Sequence, residues 1–170
     1  TGAQEIFLKK KIYLTIISSL NYEECVHKLL SIKLQENEEE IMVEMIIECC
    51  SQDQTYKKYY GLTASRLCVL FNTYKECFSK QFINQYDNIH LKDMNQIRNI
   101  ALLFSYLFSS NALSWTLFSH IVLTEDETTS SSRVFLKHMF QNMFEEMGMN
   151  SLKKALLEEN AASVKGMFPT

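Results

Sequence analysis

Glycine occurs four times and proline once in 170 residues. A β-sandwich or barrel needs a turn about every ten residues, and that punctuation is missing. The same scarcity argues against collagen, Pro-rich arms and low-complexity linkers. No apolar run approaches the roughly 20 residues that a membrane span needs. Cysteine is odd in number, at Cys25, Cys49, Cys50, Cys68 and Cys77, and no two have C-x-x-C spacing. That disfavours both a secreted disulfide framework and a zinc site. Cys25, Cys49 and Cys68 fall in phase with aliphatic neighbours, so they read as small buried hydrophobes in a reducing compartment, cytosol or nucleus. A basic excess is missing too. The net charge is −3, so duplex nucleic acid is not the default partner.

What remains is ordinary globular material. Hydrophobic residues are 46% and charged residues 22%, enough apolar content to bury a core and not the signature of disorder. The length fits one domain, residues 1–170. Thr1 stands where an initiator Met would, and Val164 to Thr170 reads as a chain cut short, so a piece of a longer protein is expected. Thr1 to Lys11 is too polar for the core of a signal peptide.

Apolar spacing predicts helices throughout. Tyr13, Ile16, Ile17 and Leu20 predict one face of a first helix. Asn21 and Glu24 read as a capping box for a second, with Leu20 and Cys25 placed to staple its start and Tyr22, Cys25, Val26, Leu29 and Leu30 along its face. Gln35 to Glu40 charges the start of a third, which carries Ile41, Met42, Met45, Ile46 and Cys49. After a polar break at Ser51 to Thr55, a fourth carries Tyr59, Leu62 or Thr63, Leu67, Leu70 and Phe71. Gly61 inside it predicts a closely packed neighbour. Tyr74, Phe78, Phe82 and Tyr86 step by four in a fifth; Ile97, Ile100, Ala101, Phe104, Leu107 and Phe108 form a sixth, which Asn111 breaks. A shorter seventh carries Leu113, Leu117 and Ile121, with Trp115 one residue off that stripe. Val134 to Met147 is a long eighth, capped by Gly148, and Leu152, Leu156 and Leu157 suggest a short ninth. No convincing strand occurs. The fold class expected is all-α, a HEAT-like stack of antiparallel helix pairs of about eight to nine helices. Such stacks present a long rigid surface suited to gripping another protein.

Catalytic chemistry is hard to find. His27, His90, His120 and His138 are scattered on separate predicted helices without metal-ligand spacing. No Gly-rich phosphate loop and no G-x-S-x-G elbow occurs. Glu38, Glu39 and Glu40 are consecutive, so they fan around a helix rather than pairing as acid and base. No enzyme activity and no cofactor or metal is therefore expected. The methionines of the third and eighth helices read as a core stripe, and Tyr56, Tyr59 and Tyr60 as packing rather than base-stacking residues. Two segments stand out as candidate protein contacts. One is the acidic turn with Glu36, Glu38, Glu39 and Glu40. The other is the hydroxyl-rich loop Thr124 to Arg133, with Glu125, Asp126, Glu127, Thr128, Thr129 and Arg133, where Thr124 and Glu127 can make a capping box and Arg133 can fork onto a carboxylate or phosphate. Lys9, Lys10 and Lys11 are a lesser candidate for RNA contact.

Particular words of the sequence carry a resemblance. Lys11-Ile-Tyr-Leu-Thr-Ile-Ile-Ser-Ser-Leu20, Tyr22-Glu-Glu-Cys25, His27-Lys-Leu29 and Met45-Ile-Ile-Glu-Cys-Cys-Ser-Gln52 come first. Thr55-Tyr56, Tyr59-Tyr-Gly-Leu62, Arg66, Arg98-Asn99-Ile100, Leu113-Ser-Trp115 and Asp126-Glu-Thr-Thr-Ser-Ser-Ser-Arg133 follow. In this order they resemble the MA-three domain of the Cwc twenty-two family of spliceosome factors, from about Leu8 to Pro169. Leu70 to Ile83 and Gln35 to Glu40 depart from it. The resemblance implies an MA-three type of helical stack, pre-mRNA splicing in the nucleus, and spliceosomal proteins as partners. It also implies an upstream domain, absent here, that grips the DEAD-box ATPase of the exon junction complex, and further helices beyond Pro169. MA-three domains of translation factors bind a related DEAD-box ATPase. Regulation of such an ATPase in translation or ribosome assembly is therefore the alternative function, and an RNA-contacting module is another. No membrane partner is expected.

Overall fold

The computed structural model of the chain describes residues 2–124 and 126–159. Eight α-helices account for most of them: α1 (Gly2–Ser18), α2 (Tyr22–Ser31), α3 (Glu39–Gln52), α4 (Lys58–Leu70), α5 (Asn72–Asp87), α6 (Met94–Ser109), α7 (Ser130–Met147) and α8 (Met149–Lys154). No strand occurs among the described residues. The Val164 to Thr170 segment lies outside them, as do Thr1 and Glu125.

Short connections turn consecutive helices back on one another, and alternate helices then pack side by side. α1 lies against both α2 and α3, α2 against α4, and α3 against α5 and α6. α6 also packs on α4 and makes its most extensive contact with α7. The result is the two-layered helical stack that the periodicity predicts.

Local chemistry sets the helix ends. The Asn21 side chain accepts the Glu24 N–H at 2.8 Å, as an N-cap should. The Glu24 carboxylate reaches back to the Leu20 N–H, 2.9 Å away, one residue short of the expected box partner. Asp93 and Gln96 close a full capping box at the start of α6. Gly148 ends α7 at φ +80°, a conformation that glycine adopts without Cβ strain, and its N–H donates to the Phe144 carbonyl at 2.8 Å.

The core runs the length of the stack. Its centre is aromatic: Phe82 of α5 sits edge-on to Phe104 and Phe108 of α6, with ring centres 5.3 and 4.9 Å away. Phe118 and Phe135 close the cluster at 6.1 and 6.3 Å. Met42, Met139 and Met143 are fully buried, as a core stripe requires. All five cysteines are buried and unpaired, including Cys50 and Cys77, which the aliphatic phasing did not pick out.

Several expected details are corrected. The inward face of α1 is Leu8, Ile12 and Ile16; Tyr13, Ile17 and Leu20 are exposed. Leu20 therefore staples nothing. Leu30, Leu70, Phe71 and Leu157 lie on the outside as well. The expected seventh helix is a 3-10 segment, Trp115–His120, and Trp115 is its most deeply inserted anchor besides Phe118. The Trp115 indole N–H donates to the Phe108 carbonyl at 3.1 Å, which fixes the segment from outside itself. His120 ends that segment, and His90 lies in a second short 3-10 turn, Ile89–Leu91, so neither stands on an α-helix.

Gly61 is packed as expected. A Cβ there would meet the Tyr56 hydroxyl at 2.5 Å and the Tyr106 ring at 2.9 Å. Gly61→Ala would gain about 1 kcal/mol of helix propensity but force a well-packed contact apart, at about 1–3 kcal/mol. A net loss of stability is expected in urea unfolding. A gain would show that Tyr56 and Tyr106 can move aside.

Candidate functional site

The α3–α4 turn is built from a distance. Asn99 of α6 is fully buried, and its amide donates to the Asp53 carbonyl at 2.8 Å and the Cys50 carbonyl at 3.1 Å. Asn95 donates to the Asp53 carbonyl at 3.0 Å and Arg98 to the Gln54 carbonyl at 3.2 Å. These carbonyls lie in the last turn of α3 and just beyond it, where the helix supplies few donors of its own; the Asp53 N–H reaches the Cys50 carbonyl at a long 3.4 Å. The Asp53 carboxylate is itself occupied, accepting from Tyr60 at 2.8 Å and pairing with Lys57 at 3.3 Å. Burial works against its charge, yet those two partners hold its carboxyl below the ordinary value. Reading the sequence alone gave no role to Asn95, Arg98 or Asn99. Their partners lie more than 40 residues away, beyond what local spacing shows.

The neighbouring tyrosines are committed to packing. Tyr60 is buried, and the Tyr59 hydroxyl donates to the Ile16 carbonyl of α1 at 2.6 Å. Tyr56 stands over Gly61.

Of the two candidate contact segments, the acidic turn precedes α3. Asn37 takes φ +67°, and the Glu38 carboxylate folds back to accept the Gln35 N–H at 2.7 Å. Glu38 and Glu39 are half-buried, and Glu40 pairs with Lys80 of α5 at 2.9 Å. Glu36 is exposed. So three of these carboxylates face different surroundings, as their fan around the helix start predicts.

The second segment is a framed loop. The Thr124 hydroxyl accepts the Glu127 N–H at 3.1 Å, but this closes a turn and does not start a helix. The N-cap of α7 is Thr129, five residues later. The Thr129 hydroxyl accepts the Ser132 N–H at 3.0 Å, and the Ser132 hydroxyl accepts the Thr129 N–H at 2.8 Å. Arg133 turns back to donate to the Thr128 hydroxyl at 2.9 Å. Thr128, Thr129, Ser130 and Arg133 line an open hollow. Asp126 and Glu127 are exposed beside it; Glu125 lies outside the described residues. Part of the exposed Arg133 fork is thus already engaged.

Lys9 pairs loosely with Glu5 at 3.9 Å, and Lys10 and Lys11 are exposed. Lys11 and Glu38 line one groove of about 210 Å³ between α1 and the segment that follows α2. The structure thus brings the basic cluster and the acidic turn together. No hydrogen bond or ion pair among the described residues joins either of them to the Thr128–Arg133 hollow.

Chemically the described residues offer contact surfaces. They hold no group of three or more His, Cys, Asp or Glu placed for a metal ion. Burial pushes the thiols of Cys49 and Cys68 up to about 11 and about 12, far from nucleophilic poise. No helix is long and apolar enough to cross a membrane among the described residues.

Comparison with known proteins agrees with this architecture. The chain is 45% identical over 170 residues to the pre-mRNA-splicing factor cwf22 of Schizosaccharomyces pombe, covering 99% of this chain and 19% of that protein. It is 46% identical over 174 residues to CWC22 of Mycosarcoma maydis, covering all of this chain and 19% of that protein. It is 42% identical over 165 residues to the human CWC22 homolog, covering 96% of this chain and 18% of that protein. The chain thus spans about a fifth of the length of the relatives it matches. The model of the MA3 domain matches residues 8–114. With its all-helical stack and that match, the chain belongs to the MA3 domain family, and its likeness to the Cwc22 splicing factors runs nearly end to end.

Proposed function

We propose that this chain is a non-catalytic docking module of a spliceosome component, acting in pre-mRNA splicing in the nucleus. The carrying observation is the likeness, over nearly all its length, to proteins named as pre-mRNA-splicing factors. The geometry supports it. The contact segments are braced locally, Gln35 on Glu38 in one and Thr128 and Thr129 on the first turn of α7 in the other, so a partner meets a partly preformed surface and less ordering entropy is lost on binding. The chain is one unit of a longer protein in this reading, and the other parts would supply any role in exon junction complex assembly. Partner contact falls to the loop Glu125 to Arg133 and the turn Glu36 to Glu40.

Reversing the loop's charges tests this. The triple variant Glu125→Lys, Asp126→Lys, Arg133→Glu should weaken association of the full-length protein with spliceosomal proteins at least tenfold, about 1.4 kcal/mol. The helical stack should be unaffected, since Asp126 and Arg133 are exposed, while Arg133→Glu also releases the hydrogen bond that braces Thr128. Unchanged association in quantitative pull-downs defeats the assignment of this loop. Retention of a translation-type DEAD-box ATPase in place of spliceosomal proteins moves the function to ATPase regulation.

A further inference from the structure

α1 is apolar on two sides but, among the described residues, has neighbours on only one. Its inward stripe, Leu8, Ile12 and Ile16, packs into the stack. At about 100° per residue, Tyr13, Ile6, Ile17, Leu14 and Phe7 fall within an arc of roughly 120° on the opposite side. These five are 45%, 69%, 55%, 49% and 71% exposed. An arc this wide matches the stripe of a helix that faces a core, and single scattered surface hydrophobes do not line up this way.

We infer that the outer face of α1 is a docking surface for an amphipathic helix of another protein, one whose apolar stripe is flanked by carboxylates. Charge complementarity selects this occupant. Lys10 projects within the arc, and Lys9 and Lys11 project on its two sides. The one acid on α1, Glu5, lies beside Lys9 at 3.9 Å; no carboxylate among the described residues pairs with Lys10 or Lys11. Phe7 and Lys11 also form a wall of the groove of about 210 Å³, with Ile32 and Lys33 opposite, which extends the apolar seat and adds a fourth cation at its edge. The groove's carboxylate, Glu38, is turned onto the Gln35 N–H.

Other occupants fit less well. A second copy would bring two lysine triplets together with only Glu5 from each chain to offset them. A bilayer carries its counter-charge at headgroup level, so seating the whole arc would press Lys10, at its centre, toward the acyl chains, whereas a helix can set a side chain against it. RNA would leave five large apolar side chains against water and phosphate.

The surface shares no residue with the loop whose charge reversal tests the splicing assignment, so the two can fail separately. The test uses the 170-residue chain and two designed, fluorescein-labelled helical peptides of about 18 residues. Both carry the same leucine stripe; one is flanked by glutamates and the other by lysines. Fluorescence anisotropy should show micromolar binding of the glutamate peptide, at least tenfold tighter than the lysine peptide. Phe7→Glu with Leu14→Glu should abolish it. Lys10→Glu with Lys11→Glu should reverse the preference while leaving the helical circular dichroism and melting curve unchanged, which separates lost docking from lost folding. Equal binding of the two peptides, no binding of either, or binding unaffected by these substitutions overturns the inference. So does a dimer in sedimentation velocity that Leu14→Glu dissolves. Saturable binding of α1 to phosphatidylserine vesicles or to oligouridine, lost in the same variants and without peptide binding, overturns it as well.

Discussion

Phe82→Ala should lower the unfolding free energy by about 3–5 kcal/mol, a large share of the roughly 5–15 kcal/mol that a domain of this kind has to spend. Phe82 is fully buried and touches aromatic rings from three other segments: Phe104 and Phe108 on α6, Phe118 on the 3-10 segment, and Phe135 on α7. Its removal takes away the transfer energy of the ring and leaves a hole that four stiff rings cannot easily fill. The edge-on geometry adds about 0.5–1.5 kcal/mol per aromatic pair beyond area, some of which is lost too. The single tryptophan provides the readout. Trp115 sits 5.4 Å from Phe118 and 6.3 Å from Phe108, centre to centre, so its emission follows the cluster during urea unfolding. A loss below about 1 kcal/mol would mean that the cluster collapses around the gap.

Asn99→Leu should cost about 3 kcal/mol, although it makes the interior more hydrophobic. Leucine keeps the branched outline of asparagine, though it is larger, and donates nothing, so the Cys50 and Asp53 carbonyls lose a buried donor. Asn95 still reaches Asp53, which limits the damage there. The effect should be local as well as global: amide exchange near Ser51 to Gln54 should rise before the rest of the stack opens. Asn99→Asp sharpens the test. In an ionised carboxylate one oxygen would face the Cys50 and Asp53 carbonyl oxygens inside the stack, a cost that Arg98 beside the other oxygen, at 3.5 Å, offsets only in part, so its folded-state pKa would be raised above the unfolded value of about 3.9. The protonated form then fits better, and stability should fall as pH rises from about 4 through that folded-state pKa. Variants as stable as the parent across pH would show that water replaces the amide.

What the sequence reveals depends on how one-sided each segment is. α5 and α6 were legible because Tyr74, Phe78, Phe82 and Tyr86, and likewise Ile97, Ile100, Ala101, Phe104, Leu107 and Phe108, each repeat along one side, and all of them are buried. α1 was not, because two apolar stripes share one helix and the pattern cannot say which of them meets the stack. The expected stripe of Tyr13, Ile16, Ile17 and Leu20 mixes the two: Ile16 faces the stack with Leu8 and Ile12, and the other three face out. At α7 the familiar Thr-x-x-Glu signature at Thr124 outweighed the true cap at Thr129, whose partner is a serine. The 3-10 segment was misjudged because its shape is imposed by Trp115 reaching the Phe108 carbonyl, a contact that local periodicity does not encode. The contact segments were legible as exposed and polar. Their internal bracing, such as Arg133 on Thr128, was not.

The five thiols offer one more consequence. They are spread over α2, α3, α4 and α5, all shielded, and burial raises their pKa above the ordinary thiol value. Cys25 and Cys50 have no exposed surface, so a maleimide or iodoacetamide reagent can reach them only when the surrounding helices part, whereas Cys77 lines a small surface hollow. Cys25 and Cys50 therefore work as silent reporters of breathing in the first half of the chain, and their alkylation rates time how often that layer comes undone.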